Sequence, residues 1–157
     1  MSTQDLETRL DNVESQLAIQ RLAAEYGQAF DNHDVDLLRS IWHEGAVLAL
    51  GDAFGNFEGI DAIVASAHQN WAQMPHMHHW MANTLIDLNG DFATAKVAVD
   101  CLATHVEMGP VQISGLYLDR LERRNGRWAF VERRFELHYL TPLQNWKPIM
   151  GSEFVSA

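Results

Sequence analysis

The chain has 157 residues, of which 47% are apolar and 20% charged, with a formal net charge of −10. Those values exclude a disordered chain and imply one domain able to bury a core. The acidic balance repels phosphate backbones, and the basic residues are scattered or paired with acids, as in Asp119-Arg120-Leu121-Glu122-Arg123-Arg124, so nucleic acid and anionic membranes are poor candidates and a small molecule or another subunit is expected.

No apolar run approaches the roughly 18 residues that a membrane span needs, and the opening MSTQDLETRLDNVES is too polar for a signal peptide. A cytoplasmic protein is expected. Its single cysteine, Cys101, sits in an apolar alternating run. It has no internal disulfide partner, fits a reducing compartment and reads as core filler.

From Asp5 to about Phe30, apolar residues recur at Leu6, Leu10, Val13, Leu17, Ile19, Leu22, Tyr26 and Phe30, predicting a long amphipathic helix. The 6, 10, 13, 17 stripe is expected to dock on a sheet, with a helix-packing seam as the alternative. Asp31-Asn32-His33-Asp34 ends that helix, and VDLLRSIW (35–42) makes a second. Ala46–Leu50 reads as a strand, Gly51-Asp52 and Gly55-Asn56 as turns, and about Gly59 to Met74 as a third helix closed by Pro75. Turn signals at Asn89-Gly90-Asp91, Gly109-Pro110 and Asn125-Gly126 then divide four strands, about 77–88, 92–107, 111–124 and 127–140, into an antiparallel meander. The expected architecture is α+β: three N-terminal helices on one face of a strongly curved, mostly antiparallel sheet. In the tail (141–157), Trp146, Ile149, Met150 and Phe154 need cover, from the pocket mouth or from a neighbouring subunit.

The stretch MPHMHHWMAN (74–83) carries His76, His78 and His79, with His68 just before it. Alternation puts His78 and His79 on opposite strand faces, so at most one of them faces a given pocket. Asp31 closes a helix at the end where a carboxylate is disfavoured, which calls for a partner. A histidine suits it: a carboxylate on one ring nitrogen leaves the other as a base. A metal pair, His76 and His78 with Asp31 or His105, is the lesser alternative. In WAFVERRFELHYL, alternation places Arg133 with Ala129, Val131, Phe135, Leu137 and Tyr139 on the more apolar face. A guanidinium there must meet an anion, either a ligand or a structural acid such as Glu107 or Glu122. Tyr26, on the inner stripe of the first helix, reads first as core. Phosphate loops and serine-nucleophile elbows are absent from the sequence.

The segments LAIQRLAAEYGQAFDNHDVDLLRSIWHEGAV, HHWMAN and LERRNGRWAFVERRFELHYLTPL together resemble the SnoaL-like branch of the nuclear-transport-factor-like superfamily. The nearer likeness is to its scytalone dehydratase, bile acid 7α-dehydratase and hexachlorocyclohexane dehydrochlorinase members. It covers nearly the whole chain, most weakly residues 44–76. The resemblance implies a cone-shaped α+β barrel with a deep apolar pocket, a trimer, and a His-Asp dyad working without metal or organic cofactor. By local match the dyad falls on His79 and Asp31, with Tyr26 and Arg133 as further catalytic residues. The dehydrochlorinase has a lysine where this chain has Tyr26, which favours loss of oxygen over loss of halide. A further acid of the bile acid enzyme falls on Asp100 only with a gap.

The expected function is that of a cofactor-free, dehydratase-like lyase acting on a hydrophobic cyclic or aromatic oxygenated molecule. Trp42, Phe54, Trp80, Asp100 and Phe135 are the expected substrate contacts. Retro-aldol cleavage, isomerisation, or a non-catalytic binding or assembly subunit are the alternatives.

Overall fold

The computed structural model describes residues 3–146. Helices α1 (Thr3–Asp31), α2 (Val35–Ser40) and α3 (Ile60–Gln73) accompany strands β1 (Trp42–Ala49), β2 (Asn56–Glu58), β3 (His76–Asn89), β4 (Phe92–His105), β5 (Gly109–Arg124) and β6 (Arg127–Pro142). Leu, Ala, Glu, Gln and Arg dominate α1, and all are strong helix formers. The helix stops where His33 takes a left-handed φ of 55° and the Asp34 N–H donates back to the Ala29 carbonyl at 2.9 Å. Asp34 then caps α2, its Oδ1 accepting from the Leu37 N–H at 2.9 Å.

The six strands run in the order β2-β1-β6-β5-β4-β3. β3 to β6 form the expected antiparallel meander, while β1 joins β6 in parallel. The β5–β6 hairpin turns on Asn125 and Gly126, with φ of 52° and 77°, the left-handed pair that a two-residue hairpin requires. β2 falls in the segment read as turns; three residues between glycines give no periodicity to detect. The curved sheet is open, with β2 and β3 as its edges, so the expected barrel is not closed.

The helices cover one face of the sheet. There Ile19, Leu22, Tyr26 and Phe30 of α1 meet Val97, Tyr117, Leu121 and Phe130 from the strands. Strict alternation fails twice along β6, where register shifts at Val131 and His138 leave one residue unpaired each time. Phe130 and Arg133 consequently share the inner face, which unbroken parity assigned to opposite sides.

The first half of α1 does not dock on the sheet as expected. Leu6, Leu10, Val13 and Leu17 are 53 to 60% exposed, because the helix overhangs the domain there. Asp11 helps tie this part down through Arg123, which also reaches the Ser15 hydroxyl at 3.4 Å and binds Asp91 of the β3–β4 turn. Trp146 is half-exposed; the expectations for Ile149, Met150 and Phe154 lie outside the described residues. No described helix is long and apolar enough to cross a membrane.

Candidate active site

α1 brings its last residue against β3 by close helix–strand approach. A Cβ added at Gly27, one turn before Asp31, would sit 3.2 Å from the His79 Cβ and 3.3 Å from the Met81 Cγ. Glycine in mid-helix costs about 1 kcal/mol in propensity, and here it lets the helix axis lie near the strand. Asp31 therefore reaches His79 twice: Oδ2 accepts the His79 backbone N–H at 2.9 Å, and Oδ1 lies 2.6 Å from Nδ1. Both side chains are only 9% exposed. The awkward carboxylate at the helix C-terminus thus has its two compensating bonds.

With Nδ1 held by the carboxylate, Nε2 is the ring atom left to exchange a proton. Burial disfavours the charged ring, but the bond to Asp31, aided by Cys101, more than offsets it and raises the His79 pKa to about 9. His79 lies in the wall of an inner chamber of about 50 Å³, beside Tyr26, Cys101, Tyr117 and Phe135. An outer chamber of about 360 Å³ adjoins it, bounded by the β1–β2 loop, Phe57 of β2, α3 and the ends of β4 to β6. The outer space alone reaches the size of a small-molecule site.

Tyr26 and Tyr117 stand together in the inner wall, their rings 5.4 Å apart. Behind them the Arg133 guanidinium packs over Tyr26 at 4.4 Å and over Tyr117 and Phe130 at 4.3 Å. Its Nε and Nη2 donate to Asp119 at 2.8 and 2.7 Å, and neither partner is more than 1% exposed. Removing one partner of such a pair costs about 3–5 kcal/mol, since the other stays charged and buried. Burial pushes the Tyr26 phenol up to about 12 and Tyr117 well above its usual value, against the opposing charge of Arg133. Both phenols keep their protons at neutral pH, and Tyr117 shares its proton with Tyr26, which leaves the Tyr26 O–H to donate outward.

A family model described as a SnoaL-like domain matches residues 11–134. The chain belongs to the SnoaL-like domain family. Within it, gamma-hexachlorocyclohexane dehydrochlorinase of Sphingobium indicum is 28% identical over 137 residues, covering 85% of this chain and 87% of the relative. The type 2 hexachlorocyclohexane dehydrochlorinase LinA superposes with a TM-score of 0.87 at 25% identity, over 91% of this chain and 98% of the other. The type 3 enzyme of Novosphingobium barchaimii gives 0.85 at 25% identity, over 90% and 99%.

In this SnoaL-like chain the structure brings His79 and Tyr26 to one cavity with Phe54 and Phe135, and holds Asp31 against His79 outside the cavity lining. Arg133 stands behind the tyrosines rather than in the cavity wall, and its acid is Asp119, directly across the β5–β6 ladder, instead of Glu107 or Glu122. Three expected substrate contacts lie elsewhere. Trp42 is 2% exposed and packs in the core against Phe130 and the edge of Tyr26. Trp80 is 48% exposed, since the alternation that turns His79 inward turns Trp80 outward. Asp100 pairs with Trp80 across the ladder on that outer face and accepts from the Ser114 hydroxyl. His76 and His78 are exposed on the same side, His78 with Nδ1 4.0 Å from Asp31. No cluster of three or more His, Cys, Asp or Glu suited to a metal occurs among the described residues. Tyr117 and Cys101, beside Tyr26 and His79, are among the cavity residues missing from the expected site. The signal for Tyr117 was its register opposite Phe135, and for Cys101 its register opposite His79.

Proposed function

We propose that this protein is a cofactor-free lyase that eliminates water from a hydrophobic, cyclic or aromatic oxygenated molecule. The observation that carries the reading is the buried 2.6 Å contact between His79 Nδ1 and Asp31 in the wall of an apolar cavity. The neutral ring removes a proton from a carbon next to a carbonyl, and Asp31 stabilises the imidazolium that forms. Electrons move onto the carbonyl oxygen, to which Tyr26 donates a hydrogen bond, itself supported by the Tyr117 hydroxyl and, from behind, by Arg133. The enolate then collapses, breaking the bond to a β-hydroxyl. That hydroxyl takes the proton from His79 and departs as water, leaving the ring neutral again.

The likeness to dehydrochlorinases supports elimination as the reaction type, and two protonated phenols favour a carbonyl over a chlorinated ring. On this reading the working form is a homotrimer. Turnover of hydroxylated cyclic ketones, followed by mass spectrometry, tests it: loss of 18 mass units is expected, whereas an aldehyde fragment or an isomer of equal mass points to another reaction. His79→Ala and Asp31→Ala should each reduce turnover by about 10² to 10⁴ while keeping the native circular dichroism. Near-native rates in either purified variant overturn the dyad.

A further inference from the structure

Six residues line both chambers: Phe30, Leu50, Phe54, Asn70, Met74 and Ile113. They form the neck between the two, and five of the six are apolar. Asn70, in the last full turn of α3, is the polar one. Its Oδ1 is buried and has no hydrogen-bond donor among the described residues. The three other buried side-chain atoms in that condition are donors, on Trp42, Trp128 and Arg133, and none of those residues lines either chamber.

Two donor side chains near it on α3 are already committed. Ser66, one turn earlier, gives its hydroxyl to the Ile63 carbonyl at 2.7 Å, and the Trp71 indole N–H goes to the Phe30 carbonyl at 2.9 Å. A buried carbonyl oxygen left without a donor is uncommon because it forfeits water without replacement. Its residue lines the neck of a cavity, so a turn of the amide brings the buried oxygen to a ligand there. The inner chamber admits little more than the reacting edge of a ring, so the ring body occupies the outer one. A substituent near the reacting edge then lies at the neck.

We propose that Asn70 is a specificity residue whose side-chain oxygen accepts a hydrogen bond from a hydroxyl on a cyclic ligand spanning the neck. The site therefore selects rings that carry an O–H over the same rings without one. This rests on the cavity being the ligand site and is independent of the reaction performed there.

Equilibrium binding of 2-naphthol and 2-methoxynaphthalene, measured by isothermal titration, isolates the donor because the ether keeps the ring and the oxygen. The native chain should prefer the naphthol by about tenfold or more. Asn70→Asp, which retains an acceptor, should keep the preference, and Asn70→Leu should bring the two affinities together without weakening the ether. A preference that survives in Asn70→Leu, equal affinities in the native chain, or no binding of either probe would overturn the proposal. Thermal melting gives a readout without ligand. Asn70→Leu removes an unpaired buried oxygen and should melt at or above the native temperature, whereas a fall of several degrees would make Asn70 a structural residue and sink the idea. None of these measurements involves turnover, so a failed lyase reading and a failed Asn70 reading remain distinct.

Discussion

At His79 two opposing influences meet, and their balance has a measurable consequence. Burial alone would lower its pKa below the usual 6.5, yet the Asp31 carboxylate, with help from Cys101, carries it to about 9. The resting ring is therefore an imidazolium at neutral pH, with only about 1% in the basic form at pH 7. If that form removes the substrate proton, kcat/KM should climb with unit slope in a log plot up to about pH 9 and then level off. Asp31→Asn takes away the charge that holds the proton and should move the break to lower pH, with a reduced plateau. A native profile that stays flat between pH 6 and 9 would remove His79 as the base. Stability follows from the same residue with the opposite sign. A folded pKa above the unfolded one means that the pair's stabilisation is full below pH 6.5, declines through the interval and is gone above about 9. His79→Gln should flatten that part of the melting-temperature profile.

Between elements, the proposed dyad depends on how closely α1 lies on β3. Gly27 sets that distance: its missing side chain leaves room for His79 and Met81, and Asp31 follows one turn later on the same face. Gly27→Val should keep α1 helical but push it outward by a fraction of an ångström to an ångström, lengthening the Asp31–His79 contact and cutting kcat/KM by roughly 10- to 100-fold. A crystal structure of the variant with that contact still near its native length, or unchanged kinetics, would refute the spacer role. The elements themselves were legible in the sequence wherever local chemistry decides: the helix end at Asp31-Asn32-His33-Asp34, the hairpin at Asn125-Gly126, and the opposite facing of His78 and His79. Alternation applied one step further would also have set Trp80 outside. What escaped depends on contacts between distant segments. The shifts at Val131 and His138 exist only in the pairing of β5 with β6, and the one at Val131 decides that Arg133 shares a face with Phe130 and meets Asp119. Tyr117 became visible as a cavity residue once that register was known, and Asn70 once α3 was seated against β1 and β2. The dyad, by contrast, came from a resemblance together with the cost of a carboxylate at a helix C-terminus.

At the scale of the whole molecule, the apolar surface and the charge pull in different directions. Leu6, Leu10, Val13 and Leu17 stand exposed on α1, and Trp80, Leu85 and Phe92 on the uncovered side of the sheet. Large apolar side chains grouped in this way on an exposed helix and sheet face suit contacts with other chains. Each chain also carries a net charge of −10, so every subunit added is repelled by those already present. Burial of apolar area is insensitive to screening, but the repulsion is not, since the Debye length shrinks from about 30 Å at 0.01 M to about 10 Å at 0.1 M salt. A trimer held in this way should tighten as salt rises and again as pH falls toward the sequence pI of about 5.1. Sedimentation equilibrium at several ionic strengths measures it directly: a mass three times the 17.8 kDa of one chain, with dissociation at low concentration suppressed by added salt, is the expected result. Dissociation promoted by salt would mean that ion pairs hold the subunits. A single-chain mass under all conditions would leave the exposed leucines and Trp80 in water and remove the trimer.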